Sequence, residues 1–179
     1  MCVKCLNTIR RQEGYTLIEM IIVMALLAIA ISLSGFGLNT LYTNNINTYS
    51  NQLISEIKLV QTKEMASKDK DYRLTLAYDS TLEQYIGTTL VRMGPTGTYS
   101  TLKTIKFPKK VAIKKWDGTN YVDILPPSHT LISFEFDTTS GQVKNTANGD
   151  GKYQISSTAS SRVIEFEVIK QNGRVVMDD

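Results

Sequence analysis

The sequence predicts an α+β protein: a long N-terminal helix, apolar in its first half and amphipathic in its second, packed on a C-terminal antiparallel β-sheet domain. Three observations carry that expectation. Residues 17–38 hold one formally charged side chain, Glu19, and Met20 to Ile31 is apolar at every position. Ile46, Tyr49, Leu53, Ile57 and Val60 then recur at steps of three and four, which places them on one helical face. From Asp71 onward the apolar residues alternate with polar ones, and turn residues break the chain at short intervals.

At 179 residues the chain has room for one compact domain plus an accessory segment. Its apolar share of 42% and charged share of 21% argue against wholesale disorder. Four regions follow in order: 1–14, short, polar and basic; 15–38, the apolar helix; 39–70, the amphipathic outer half of that helix; and 71–179, the sheet domain. Of the formal charge of +3, Lys4, Arg10 and Arg11 against Glu13 place +2 in residues 1–14, leaving the remainder near neutral at +1. Both cysteines, Cys2 and Cys5, also fall in that first segment. Their spacing suits a metal or redox pair, but two thiols without a nearby histidine do not complete a zinc site. Reduced cytoplasmic thiols are the expectation.

A helix rises about 1.5 Å per residue, so residues 15–38 match the roughly 30 Å hydrocarbon thickness of a bilayer. The basic flank before them holds the N-terminus in the cytoplasm and sends everything after Leu38 outward. No proline occurs before Pro95, so nothing forces a break before the outer half, although Gly35 and Gly37 are points of weakness. The joined helix is expected to run about 50 residues, or roughly 75–80 Å.

Strands are expected at Tyr72–Tyr78, Thr101–Phe107, Val111–Lys115, Thr130–Phe136, Arg162–Ile169 and Arg174–Met177. Turn chemistry separates them at Gly94-Pro95-Thr96-Gly97, Asp117-Gly118, Pro126-Pro127, Ser140-Gly141, Asn148-Gly149-Asp150-Gly151 and Asn172-Gly173. The stripe of the outer helix is the surface such a sheet system would cover.

The segment Gly14-Tyr15-Thr16-Leu17-Ile18-Glu19-Met20-Ile21-Ile22-Val23-Met24 closely resembles the type IV pilin and pseudopilin signature. In that family a glycine ends a short basic leader, an aromatic residue begins the mature chain, and a glutamate follows four positions later in an otherwise apolar helix. Tyr15 stands here for the usual Phe and Met20 for the usual Leu. The resemblance implies cleavage after Gly14 by a prepilin peptidase, methylation of the new Tyr15 amine by the same enzyme, and the pilin fold. Glycine suits the scissile position because it lets the chain enter an active site extended. A carboxylate inside a bilayer costs about 2.5–3.5 kcal/mol on insertion scales, so Glu19 needs a partner. The resemblance supplies one: the Tyr15 amine of a neighbouring subunit, which would set the axial register. A glutamate favoured by the helix dipole and snorkelling to the headgroups is the alternative for Glu19 alone. It leaves the glycine, the aromatic and the basic leader unexplained. An ordinary signal peptide would place its cleavage site after the apolar run, near Ser32-Leu33-Ser34; the span is longer than such a core and continues into helix.

Farther along, Thr130-Leu131-Ile132-Ser133-Phe134-Glu135-Phe136-Asp137, the Gly141 turn, Arg162-Val163-Ile164-Glu165-Phe166-Glu167-Val168 and Gly173-Arg174-Val175 look like the domain of the general secretion pseudopilin H and fimbrial T-type family. That likeness implies a minor subunit of the filament. Lys103, Lys106, Lys109, Lys110, Lys114 and Lys115 cluster around Phe107 and Trp116, a candidate anionic-ligand patch for DNA. A solvated strand edge guarded by lysines is the competing reading, and the near-neutral mature chain favours it. Asn145 to Gly151 lacks the spaced carboxylates of a calcium loop and reads as a hairpin turn. His129 is the only histidine and reads as a loop residue.

The expectation is a structural, non-enzymatic subunit with no catalytic residues, metal or cofactor. It serves a type IV pilus, competence or type II secretion-like filament. Its implied partners are the prepilin peptidase and N-methylase, other pilin subunits, a membrane platform protein, and lipid before assembly. Its implied location is a single-pass cytoplasmic-membrane protein, then a cell-surface filament. A DNA-contacting or adhesive tip subunit and a single-pass anchored enzyme are the alternatives.

Overall fold

The computed structural model describes residues 16–124 and 131–178, with the backbone alone over residues 30–45 and at Asp178. The leader with Cys2, Cys5 and Gly14, the residue Tyr15, the Pro126-Pro127 turn and His129 lie outside the described residues. The chain divides into two units, Met1–Leu38 and Asn39–Asp179.

The helix α1 spans Leu17–Ala66, 50 residues. In the first unit its described side chains, from Leu17 to Ile29, are exposed throughout. In the second unit the helix shows one buried face. Ile46, Leu53, Ile57 and Val60 are buried, Ile54 joins them, and Tyr49 packs beside them half-covered. This is the stripe that the three-and-four spacing predicts, and it is covered by sheet as expected.

Two antiparallel sheets follow, which makes the fold the α+β arrangement anticipated. Strands β1 (Lys70–Asp79), β2 (Gln84–Met93), β3 (Tyr99–Lys106) and β6 (Leu131–Glu135) form a four-stranded sheet in the order β3-β2-β1-β6. Strands β4 (Val111–Trp116), β5 (Tyr121–Asp123), β7 (Gly151–Ser157), β8 (Ser160–Val168) and β9 (Val175–Asp178) form a five-stranded sheet in the order β5-β4-β7-β8-β9. Leu74, Leu76, Ile132 and Phe134 of the first sheet and Ile113, Tyr153, Ile155 and Phe166 of the second are buried in one core with the helix stripe. The rings of Phe134 and Tyr153 meet at 5.7 Å and join the two sheets, while Tyr49 reaches Phe107 from the helix at 5.8 Å.

The structure corrects the sequence reading in three ways. First, β2, β5 and β7 are strands that the alternation did not reveal. Gly87 interrupts β2, β5 is three residues long, and β7 starts inside the predicted turn at Gly151. Second, Asn145–Gly151 is not a hairpin turn. β6 pairs with β1 while β7 pairs with β4 and β8, so the segment crosses from one sheet to the other. Gly149 lets it pass close: a Cβ there would meet the Phe134 ring and the Ser133 carbonyl. Third, Phe107 is not the last residue of β3. It lies past the strand, fully buried, with its N–H on the Tyr85 carbonyl at 3.0 Å.

Neither outer margin of the four-stranded sheet is a plain edge. On β3 the register slips between Thr89 and Leu90, so that Thr101 faces Leu90 and Lys103 faces Thr89 while Leu102 bulges out between them. Beside β6, the Asn148 carboxamide occupies the place of a further strand. Its Oδ1 accepts the Ser133 N–H at 2.7 Å and its Nδ2 donates to the Leu131 carbonyl at 3.0 Å.

Candidate functional site

The first turn of α1 is built by Thr16. As the residue before the helix, it accepts the N–H of Glu19 on its hydroxyl at 3.3 Å and on its carbonyl at 3.0 Å. An N-terminal turn leaves its amide donors without intrahelical acceptors, and a threonine at this position satisfies one of them. Thr16 and Glu19 also have the Thr-x-x-Glu spacing of a capping box, a signal the sequence reading passed over. Glu19 therefore sits where the positive end of the helix dipole favours a carboxylate. It is exposed, and the apolar residues around it are too: Leu17 at 79%, Ile18 at 67% and Met24 at 66%. Gly14 and Tyr15, the other two residues of the expected processing site, lie outside the described residues. Among the described residues no helix is long and apolar enough to cross a membrane. The expected span, 15–38, includes Tyr15 and side chains from residue 30 on that are not among them.

In the second unit, three polar side chains of α1 bind the helix to the sheet domain. Glu56, almost fully buried, takes the Thr89 hydroxyl at 2.8 Å and the Lys103 ammonium at 2.5 Å. Gln61 donates from Nε2 to the carbonyls of Gly141 and Asn172, each at 2.8 Å, and so ties two turns to one side chain. Gly173 is required beneath it, since φ is +64° and a Cβ would strike the Gly141 carbonyl and the Gln61 amide. Glu64, also buried, accepts the Tyr72 N–H at 2.6 Å and meets Lys144 at 3.2 Å.

Lys144 stands at the centre of a wider network. It reaches Asp71 at 3.2 Å; Asp71 in turn pairs with Arg92 at 2.5 Å and accepts the Tyr99 hydroxyl at 2.6 Å. The guanidinium groups of Arg73 and Arg92 lie 3.9 and 4.8 Å from the Tyr99 ring centre, and Arg73 pairs with Glu135 at 3.2 Å. Burial opposes the charge on Asp71, but the Tyr99 hydroxyl and the Lys144 ammonium outweigh it and hold the carboxyl below its ordinary value. Burial likewise opposes the charge on Lys144, and the Glu64 carboxylate overcomes it, raising the ammonium above its ordinary value. Tyr99 is pushed up to about 12 by burial and by Asp71. A depression of about 250 Å³ lies beside this network, lined in part by Lys68, Asp69 and Pro95.

The lysines expected to form an anionic-ligand patch are divided among different surroundings. Lys103 is paired with buried Glu56, and Lys109 with Glu83 at 3.3 Å. Lys106 is exposed at the end of β3, and Lys110 lies in the turn before β4. On β4, Lys114 and Lys115 point to opposite faces of the five-stranded sheet. Lys115 turns inward over the Tyr153 ring, its ammonium donating to the Asn148 carbonyl, and burial lowers its pKa. Of the two aromatics, Phe107 is buried in the core and Trp116 is 39% exposed. Among the described residues no group of three or more His, Cys, Asp or Glu side chains is placed to hold a metal ion.

Comparison with known proteins bears on the N-terminus. No curated protein and no solved structure matches the chain. A family model, the prokaryotic N-terminal methylation motif, matches residues 9–35, a range that holds Gly14, Tyr15 and Glu19. The motif implies processing by a prepilin peptidase, a membrane-anchored precursor and assembly with other pilins. In its N-terminal segment the chain is type IV pilin-like.

Proposed function

We propose that the protein is a minor pilin or pseudopilin, a structural subunit of a type IV pilus, competence or type II secretion-like filament. Prepilin peptidase cuts it after Gly14, and the Tyr15 amine is methylated. Before assembly the helix of residues 15–38 crosses the cytoplasmic membrane once, with its N-terminus inside. The subunit then leaves the lipid for the filament through the platform protein. Its work is polymerisation rather than catalysis. One observation carries the reading: an apolar helix start whose described side chains all face outward, with Glu19 the sole acid among them, inside the range of the methylation-motif match. Burying that surface against like helices releases water or lipid, and pairing Glu19 with a neighbour's Tyr15 amine compensates both charges.

The test is co-expression of the full chain with a prepilin peptidase, followed by intact mass measurement. Loss of residues 1–14 and a chain beginning at Tyr15 is expected; an uncut product would leave only a plain anchor. In the same system Glu19→Ala is expected to be cleaved normally and to be depleted from filaments. Equal incorporation of that variant would defeat the pairing role.

A further inference from the structure

The outward face of the five-stranded sheet carries a feature separate from the N-terminal helix on which the proposed function rests. Residues directly opposite in an antiparallel pair share a face, and alternate residues along each strand do too. The register therefore sets Tyr121 beside Trp116, and Asp123, Lys114, Gln154 and Glu165 in one row, all on the side away from Ile113, Ile155 and Phe166. Lys152 and Glu167 form the next row on the same face.

Trp116 is the single tryptophan of the chain and is 39% exposed. Its ring meets that of Tyr121 edge-on, with centroids 5.1 Å apart. Tyr121 is held at its far end: its hydroxyl donates to Glu165 Oε2 at 3.0 Å, although two strands, β4 and β7, lie between theirs in the sheet order. To make that bond the ring lies along the sheet surface instead of standing off it. The second oxygen of Glu165 is fixed by the Gln154 amide at 2.8 Å. The result is a preset aromatic ledge bordered by a carboxamide, a carboxylate and an ammonium group. A cross-strand aromatic pair that only stabilises its hairpin does not need the Glu165 and Gln154 relay.

We infer that this ledge is a binding site for a neutral saccharide. A sugar ring offers an apolar C–H face to the aromatic rings and equatorial hydroxyls to planar amide and carboxylate groups. The charges select the ligand class. Asp123, Glu165 and Glu167 outnumber Lys114 and Lys152 on this face, so a polyanion gains nothing there, whereas hydroxyl groups donate to carboxylates without an electrostatic cost. The preset geometry matters because a ligand then need not pay for ordering the side chains.

The single tryptophan makes the site its own reporter. The full chain, held in a polyoxyethylene detergent so that no sugar headgroup competes, is titrated with neutral linear oligosaccharides of the cello, malto and chito series while the tryptophan emission is recorded. A saturable change in emission is expected with at least one series. Tyr121→Phe keeps the ring but frees it from Glu165, and Gln154→Ala removes the amide. Each is expected to weaken binding about tenfold while the melting transition stays within a few degrees of the parent. Two results overturn the inference: no response to any neutral series, or a response confined to single-stranded DNA, which would assign the ledge to base stacking. The outcome is independent of peptidase cleavage, so failure here leaves the filament reading untouched.

Discussion

At the scale of single residues, two buried polar groups make opposite predictions. The Tyr153 hydroxyl is fully buried and has no hydrogen-bond partner among the described residues, and burial raises its pKa well above the ordinary value. An unpaired buried hydroxyl costs free energy that an apolar edge does not. Tyr153→Phe is therefore expected to leave stability unchanged or raise it by about 1 kcal/mol, as read by chemical denaturation. A clear loss would mean that the hydroxyl has a partner. Glu56 is the reverse case, a buried carboxylate that is satisfied. Lys103→Met strips its charged partner and leaves, among the described residues, the Thr89 hydroxyl, an expected cost of about 1–3 kcal/mol in the same measurement. Lys103 had been grouped with the candidate anion-binding lysines. The packing of β3 over the helix makes it a structural counter-ion instead.

At the scale of elements, the outer half of α1 is fixed by apolar burial in direction and by polar side chains in register. Gln61 is the most economical of these, since one amide holds the Gly141 and Asn172 turns. Gln61→Ala is expected to cost about 1–2 kcal/mol and to raise hydrogen exchange at the Gly141 and Gly173 amides, with the sheet interiors unaffected. The helix stripe, the existence of two-period strands and most turns were legible because each depends on local spacing. Ile46 through Val60 repeat at helical intervals, and Asp117-Gly118 and Asn172-Gly173 declare their turns chemically. β2 was hidden by Gly87, which supplies no side chain to the alternation. β7 was hidden because its first residue belongs equally well to a glycine-rich turn. The clamps could not be read at all. Gln61 and Glu64 look like solvated positions on a helix, and Gly141 and Lys144, which they bind, are each 80 residues away.

For the whole molecule, the Lys144 network links α1, β1, β2, β3 and the crossover between the sheets, so its titration bears on the global transition. Asp71 has a folded pKa below its ordinary 3.8, so its contribution is present above that value and lost as pH falls through the folded pKa. Lys144 and Tyr99 are raised, so theirs is full below their ordinary values of 10.5 and 10.0 and lost as pH climbs through the folded ones. On the acid side Asp71 lowers the melting temperature below about pH 3.8, while Glu64, whose carboxyl burial raises, works against that loss; on the alkaline side the melting temperature is expected to fall between about pH 10 and 12. Asp71→Asn should flatten the acid limb and Tyr99→Phe the alkaline one. Parallel profiles for parent and variants would show that the network does not govern stability. The fold class was readable at this scale because a long helix followed by alternating segments has few ways to bury both. The division into two sheets was not, since it depends on whether β6 and β7 pair with each other, which no local signal reports.

The irregular rims of the four-stranded sheet bear on how such a chain survives crowding. A bare, straight β margin is a template on which another copy can anneal, and growth from it runs toward amyloid. Here the Leu102 bulge spoils one margin, and a borrowed carboxamide from Asn148 fills part of the other. Sideways recruitment through this sheet is thereby discouraged, which suits a chain proposed to polymerise through its N-terminal helix.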